Sequence, residues 1–319
     1  MLEILPVTAV IFILISIGYT SLRLSVFSSF EISSLGKFVI YFALPALIFL
    51  AMSERSLTEI FNIGYLSAYL AGSLLMFFSG YWWSRRVSKL PTMESTFQAM
   101  AMSCANSGFI GYPILLMVLP ETASTALALA MIIENLFLIP LVLVMAERAA
   151  GGEKRGWELA KQIGSRLIRN PIIGAIAAGM FASLLDLEVP ITIAKSIDFL
   201  AVSSTAIALF VIGGSLPELP FQFGNEKIAP AVVGKLILHP LAVWMGLMTA
   251  AAVGIETGDP QLAVAAVILA SMPTMGIYPI LAQRYGQKGG AAVIMLVMTV
   301  LSFFSISMFL RLLNVGVAG

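Results

Sequence analysis

The sequence predicts an all-α integral membrane protein of ten transmembrane helices, built as two inverted five-helix repeats. Three observations carry this. First, 59% of the 319 residues are hydrophobic and 11% charged, with a mean hydropathy of +0.98, far more apolar than a soluble domain. Apolar runs of helix length recur throughout, without the alternation of an outer-membrane barrel. Second, two of these runs carry the same interruption at their centres. Ser103-Cys104-Ala105-Asn106-Ser107-Gly108-Phe109-Ile110-Gly111-Tyr112-Pro113 is matched by Ser271-Met272-Pro273-Thr274-Met275-Gly276-Ile277-Tyr278-Pro279, and each leads into Tyr-Pro-Ile-Leu, at Tyr112–Leu115 and Tyr278–Leu281. Third, the one sizeable polar connection falls mid-chain and leaves five spans on either side, an odd number that forces similar halves into opposite orientations.

The spans are expected at about Leu5–Leu22, Lys37–Met52, Ile63–Trp83, Thr96–Leu119, Ala123–Ala146, Pro171–Leu185, Ile197–Leu216, Ile228–Val253, Leu262–Ala282 and Ala291–Leu312. Met1-Leu2-Glu3 runs straight into the first span without a basic leader region, so that span is read as a membrane helix and not as a cleaved signal. The third span closes on Tyr81-Trp82-Trp83 beside Arg85-Arg86, an interfacial belt. Several spans fall short of the roughly 20 residues of a perpendicular crossing, implying tilt or burial inside the bundle. The halves are then residues 1–150 and 170–319, joined by a cytoplasmic linker over 151–169 that contains Gly151-Gly152 and alternating charges.

Basic residues set the orientation. With the N-terminus outside, the inner connections hold fourteen of the 18 lysines and arginines, from Arg23 and Lys37 to Arg284 and Lys288. The outer side holds Arg55, Lys195 and Arg311, and Lys235 lies within a span. Both termini are expected outside.

Pro113 lacks an N–H and its ring collides with the carbonyl four residues back, so helical bonding is expected to open around Phe109, with Gly108 and Gly111 giving the chain room to turn. A broken helix at membrane depth persists only where it is buried in protein or lines a wet cavity. Paired breaks in corresponding spans therefore point to a transporter's binding site. Asn106 offers two amide donors and one acceptor there, alongside the positive end of a half-helix. The plainer alternative is a proline kink with an interhelical hydrogen bond. Ser103, Ser107, Ser271 and Thr274 either line the cavity or bond back to their own helix carbonyls. Glu134, near the centre of the fifth span, is the leading candidate for proton or ion coupling, since acids at that depth mark ion pathways and relays, with a protonated acid bonded to a neighbouring helix or a structural pair with Lys235 as the alternative. Lys235 and His239 are four apart on one helix face and are further coupling candidates, with snorkelling and structural hydrogen bonding as their alternatives.

Asn106 through Pro113 resembles the fourth-span signature of the auxin efflux carrier family. Phe42-Ala43-Leu44-Pro45-Ala46-Leu47-Ile48-Phe49 is similar to its second span, Asn170-Pro171 to the start of its sixth, Lys235-Leu236 through His239-Pro240 to its eighth, and Ser271-Met272-Pro273-Thr274 to its ninth. The resemblance covers essentially the whole chain. It implies the fold shared with bile acid symporters and the NhaA antiporter, with helices four and nine crossing at their broken centres. Gly111, Pro113, Pro273, Gly276 and Pro279 would form the crossover. Asn106, Ser107, Ser103, Gly108, Ser271, Thr274 and Pro45 would bind substrate. It implies a scaffold of spans 1, 2, 6 and 7, a moving group of spans 3–5 and 8–10, and a homodimer. The short central linker suits bacterial members that carry malonate and other organic acids across the inner membrane better than the plant auxin exporters.

The expected function is secondary active transport of small organic anions by elevator-type alternating access. A membrane-embedded ligand sensor or ion channel is the alternative. No Gly-x-Ser-x-Gly, His-Glu-x-x-His or Walker motif supports an enzyme or a primary pump. One cysteine and one histidine give no metal cage, and no basic cluster suggests nucleic acid. No cofactor is expected beyond coupling H+ or Na+, and the partners are a small carboxylate and the bilayer.

Overall fold

A computed structural model describes residues 5–53, 62–151, 158, 161, 164–165, 167–187, 189–218, 228–287 and 290–315. These form helices α1 (Leu5–Arg23), α2 (Ser29–Ser53), α3 (Ile63–Arg86), α4 (Thr92–Ser103), α5 (Ser107–Val118), α6 (Pro120–Ala149), α7 (Pro171–Leu184), α8 (Ile191–Ser215), α9 (Ile228–Ala252), α10 (Pro260–Ala270), α11 (Tyr278–Arg284) and α12 (Gly290–Leu312). Among the described residues there is no β-sheet, only one isolated bridge. Six helices, α2, α3, α6, α8, α9 and α12, are long and apolar enough to cross a membrane. The 25 residues of α8 span roughly 38 Å at the helical rise, against a hydrocarbon core of about 30 Å. Most of the 151–169 linker lies outside the described residues, as do the basic residues Arg55, Lys154, Arg155, Arg166, Lys227 and Lys288.

Helix ends follow local chemistry. Asn62, Asn170 and Asp259 each cap a helix by accepting a backbone N–H of its first turn. Ser28 and Glu31 form a reciprocal capping box, so α2 begins eight residues before the expected Lys37. The segments expected as fourth and ninth spans are each two helices, α4–α5 and α10–α11, where the hydropathy pattern alone shows one continuous run.

Four helices contain one widened turn, closed by an N–H bonding five residues back: Leu44 to Val39, Tyr112 to Ser107, Ile139 to Glu134 and His239 to Gly234. In every case the donor immediately precedes a proline: Pro45, Pro113, Pro140 and Pro240. The ring of each proline would meet the carbonyl four residues earlier, and widening the turn moves that carbonyl aside. This corrects one expectation. Pro113 widens the turn around Phe109, and the chain leaves helical geometry earlier, at Cys104–Asn106.

The most extensive helix–helix contacts fall into two groups. In one, α1 runs along α8, and α2 along α7 and α8. The crossings are backbone-close: Gly18 lies against the Phe210 carbonyl, and Gly179 against that of Phe49. In the other, α3 runs along α9 and α4, while α10 packs on α6 and α9. There Gly72 faces the Val243 backbone, and Gly246 faces the Ala68 carbonyl. Small residues four apart on both helices (Gly64, Ala68, Gly72; Ala242, Gly246, Ala250) permit this approach.

A Cβ at Gly72 would lie 2.6 Å from Val243 Cα, which cannot move without shifting α9. Gly72→Val is expected to cost about 2 kcal/mol or more and to lower the melting temperature of detergent-solubilised protein. Gly174→Ala, with nothing within 4 Å, should leave that temperature within error of the parent.

Candidate functional site

The two breaks meet. After α4 ends, Cys104 is extended (φ −94°, ψ 125°), and Ala105 pairs with Thr274 in the antiparallel bridge. The Asn106 N–H donates to the Pro273 carbonyl at 2.9 Å. The Asn106 carbonyl in turn accepts from Ile110 (3.2 Å) and Gly111 (3.0 Å), closing the first turn of α5. Each break thus supplies hydrogen-bond partners that the other lost, as burial in an apolar interior demands. Two side-chain groups remain unmatched: Asn106 Nδ2 and Thr274 Oγ1 are buried without a hydrogen-bond partner. Asn106 follows the bridge residue Ala105 on one segment, and Thr274 is the bridge residue of the other.

Around this bridge lies a buried polar cluster. Ser107, the first residue of α5, donates from Oγ to Glu134 Oε1 at 2.7 Å, and the Tyr69 hydroxyl donates to the same oxygen at 3.3 Å. Glu134 Oε2 has no partner. On the other side, Lys235 Nζ donates to the carbonyl of Ala270, the last residue of α10, at 2.8 Å. Lys235 Nζ also lies 2.7 Å from His239 Nδ1, and His239 Nε2 lies 2.9 Å from Ser73 Oγ. With Lys235 as an ammonium, which only donates, Nδ1 accepts and Nε2 carries the hydrogen toward Ser73. Tyr69 links the two sides, its ring edge-on to His239 with centroids 6.1 Å apart. Tyr65 stacks on Tyr69 at 5.7 Å and donates to the Ala126 carbonyl.

The charges complement the broken helices. The carboxyl group of Glu134 sits at the N-terminus of α5 and the amine of Lys235 at the C-terminus of α10, so that each, when ionised, is at the end of the helix dipole that favours it. Both lie in widened turns, with Glu134 opening one and Lys235 inside another. Such turns recur at functional sites because they re-aim side chains and free backbone groups.

The remaining sequence-derived candidates are distributed as follows. Ser103 Oγ and Ser271 Oγ bond back to the carbonyls of Ala99 (2.9 Å) and Ile268 (2.7 Å). Gly108 and Gly111 lie in the widened turn without a positive φ, and their role is close packing. A Cβ at Gly108 would press on Met131 and Leu44, and one at Gly111 on Leu269 and Met272. Pro113, Pro273 and Pro279 are buried, whereas Gly276 is exposed with open space around it. Pro45 is half-buried on α2, next to the Leu44 that touches Gly108. Sequence reasoning passed over Tyr65, Tyr69 and Ser73, although their four-residue spacing marks one polar stripe along an apolar helix. Among the described residues, no group of three or more His, Cys, Asp or Glu is placed to hold a metal ion.

The family of membrane transport proteins (Mem_trans) matches residues 4–310, nearly the whole chain. The chain belongs to this family. It is the auxin efflux carrier family that the Asn106 stretch resembles. A protein of Rhizobium meliloti (strain 1021) named "Putative malonate transporter" is 29% identical over 318 residues, covering 99% of this chain and 98% of its own. The "Uncharacterized transporter YfdV" of Escherichia coli (strain K12) is 26% identical over 237 residues, 73% of this chain and 74% of its own. The "Lysosomal cholesterol signaling protein" of Mus musculus is 25% identical over 242 residues, 70% of this chain and 27% of its own. Mem_trans proteins are membrane transporters and not enzymes.

In a transport family, a buried lysine bonded to neutral groups is notable because its burial is costly. Desolvating an ammonium costs several kcal/mol, and an apolar side chain of similar volume often does as well. Without Lys235, His239 Nδ1, 3.2 Å from the Ala270 carbonyl, can donate there instead. Lys235→Met is therefore expected to keep or raise the melting temperature while lowering transport at least tenfold. A parallel fall in both would mark the lysine as structural.

Proposed function

We propose that this protein is a secondary carrier of small organic anions that works by elevator-type alternating access. The observation that carries the proposal is the pair of buried, unpartnered groups at the meeting of two broken helices, Asn106 Nδ2 and Thr274 Oγ1. A buried donor without a partner costs about 1–3 kcal/mol. A substrate carboxylate reaching either group would accept its hydrogen bond, aided at Asn106 by the positive end of α5. The substrate site then comprises Asn106, Thr274 and their neighbours Ser107 and Gly108, with Ser103, Ser271 and Pro45 at its margin. Gly111, Pro113, Pro273, Gly276 and Pro279 shape the crossover. Malonate is the first compound to test, because the Rhizobium relative bears that name.

The carrier reading includes ten spans in two inverted repeats, residues 1–150 and 170–319, joined through 151–169. The shared tetrapeptide supports it. So does a packing coincidence: the separation that relates Gly18 to Gly179 also relates Phe49 to Phe210, and Gly18 meets Phe210 while Gly179 meets Phe49. Two halves related by a pseudo-two-fold axis give this exchange of partners. The helix groups suit the mechanism, with α1, α2, α7 and α8 as scaffold and the remainder moving with the crossover. Glu134, Lys235 and His239 are the coupling groups for H+ or Na+. The protein is placed as a homodimer in a bacterial inner membrane, with both termini outside.

The mouse relative's name gives the sensor alternative a footing. A sensor or channel lacks saturable counterflow, which a carrier must show.

The test is uptake of labelled malonate, succinate, 2-oxoglutarate and indole-3-acetate by purified protein in proteoliposomes, with counterflow alongside. Losing a hydrogen bond to an ionised group costs about 1.5–3 kcal/mol, so Asn106→Ala should weaken apparent affinity about 10- to 100-fold, and Thr274→Val should weaken it less. Normal affinity in Asn106→Ala would reject this site. With proton coupling through Glu134, uptake should rise as external pH falls, and Glu134→Gln should flatten that dependence. A sodium requirement with no pH response would instead assign coupling to Na+.

A further inference from the structure

A hydrogen bond joins the two helix groups beside the coupling residues. Asn170 Nδ2 donates to Asn135 Oδ1 at 3.0 Å. Neither amide is free to swing. Asn170 caps α7, its Oδ1 accepting the Ile172 N–H at 3.0 Å. Asn135, next to Glu134 in the same widened turn, donates from Nδ2 to the Met131 carbonyl at 2.9 Å. Met131 in turn reaches the position that a side chain at Gly108 would occupy, so the bond continues into the packing around the first break. Asn135 is buried and Asn170 half-buried.

We propose that Asn135 and Asn170 form a latch that holds the moving group against the scaffold in one access state and opens in the other. The proposal rests on the carrier reading above. Its logic is geometric. Asn170 is tied to the first turn of α7, in the scaffold, and Asn135 to the preceding turn of α6, in the moving group. When one group slides past the other, neither amide can follow its partner without abandoning its own helix. A neutral amide pair also suits a contact that opens every cycle, since it strands no charge when it separates.

The test uses Asn135→Cys with Asn170→Cys in a Cys104→Ala parent, reconstituted and assayed for labelled malonate exchange. Oxidation should cross-link the pair and stop exchange, while malonate still protects the oxidised protein against thermal unfolding. Reduction should restore exchange to the pre-oxidation rate. Full exchange by the cross-linked protein would overturn the latch, and where the pair does not close directly a short bifunctional thiol reagent spans it for the same readout. A second arm needs no cross-link. Asn170→Ser keeps a capping hydroxyl but is too short to reach Asn135, and Asn135→Ala removes the acceptor. Each should change the exchange rate by roughly three- to tenfold, and the double variant by no more than either alone. Additive effects would overturn the latch. If the parent neither exchanges malonate nor shows counterflow, the carrier reading falls and the latch with it. If the parent exchanges and the cross-link has no effect, only the latch falls.

Discussion

The structure depends on a constraint that membranes impose more severely than water does. Backbone polar groups without partners in an apolar interior cost several kcal/mol each, so a helix there is broken only where something else satisfies it. Here that partner is a second broken helix. The Asn106 N–H bonds the Pro273 carbonyl, and Ala105 pairs with Thr274. Neither break is tenable without the other. The glycines at the α3–α9 crossing let two of the surrounding helices approach backbone to backbone. The site is therefore a consequence of two defects that cancel one another.

The electrostatics follow from the same geometry. Breaking two helices exposes two dipole ends, and the chain sets Glu134 near one and Lys235 on the other. These two groups do not form a direct ion pair. Tyr69 bonds Glu134 and lies edge-on to His239, so the acid and the base are linked through neutral groups from α3. A direct buried pair would be hard to separate, because parting it strands two charges. With a tyrosine ring and an imidazole between them, each group is held at its own helix end by neutral partners.

Much of this was legible in the sequence, for a stated reason. Membrane interiors penalise polar and helix-breaking residues so strongly that Asn106, Pro113, Pro273, Glu134 and Lys235 stand out against an apolar background. The all-helical class and the breaks are read from that contrast alone. What escaped has equally physical causes. Tyrosine and serine in a membrane helix face lipid, neighbours or a cavity with little compositional difference, so Tyr69 and Ser73 carried only a periodic hint. The widened turns are an energetic compromise between a proline and the helix around it, and the same prolines could equally have produced open kinks. The first break sits at Asn106 and not at Phe109 because only there can the chain reach Pro273, a tertiary fact. The bond between Asn135 and Asn170 joins helices from the two halves of the chain, and no local pattern encodes it. The start of α2 was encoded, in Ser28 and Glu31, and hidden by the polarity of the segment.

On the carrier reading, the chemical inequality of the two halves is what makes the fold useful. Repeated halves give nearly equivalent outward and inward packings, and an exchange between states of similar energy needs little differential binding to drive it. Perfect equivalence would leave nothing for substrate or ion to select. The side chains break it. The first half brings an amide and an acid, Asn106 and Glu134. The second brings a hydroxyl and a base, Thr274 and Lys235. A substrate carboxylate meets a different donor at each break, and a coupling ion meets a different titratable group at the two helix ends. The backbone therefore supplies two states of comparable stability, and the unequal side chains give substrate and ion something to discriminate between them.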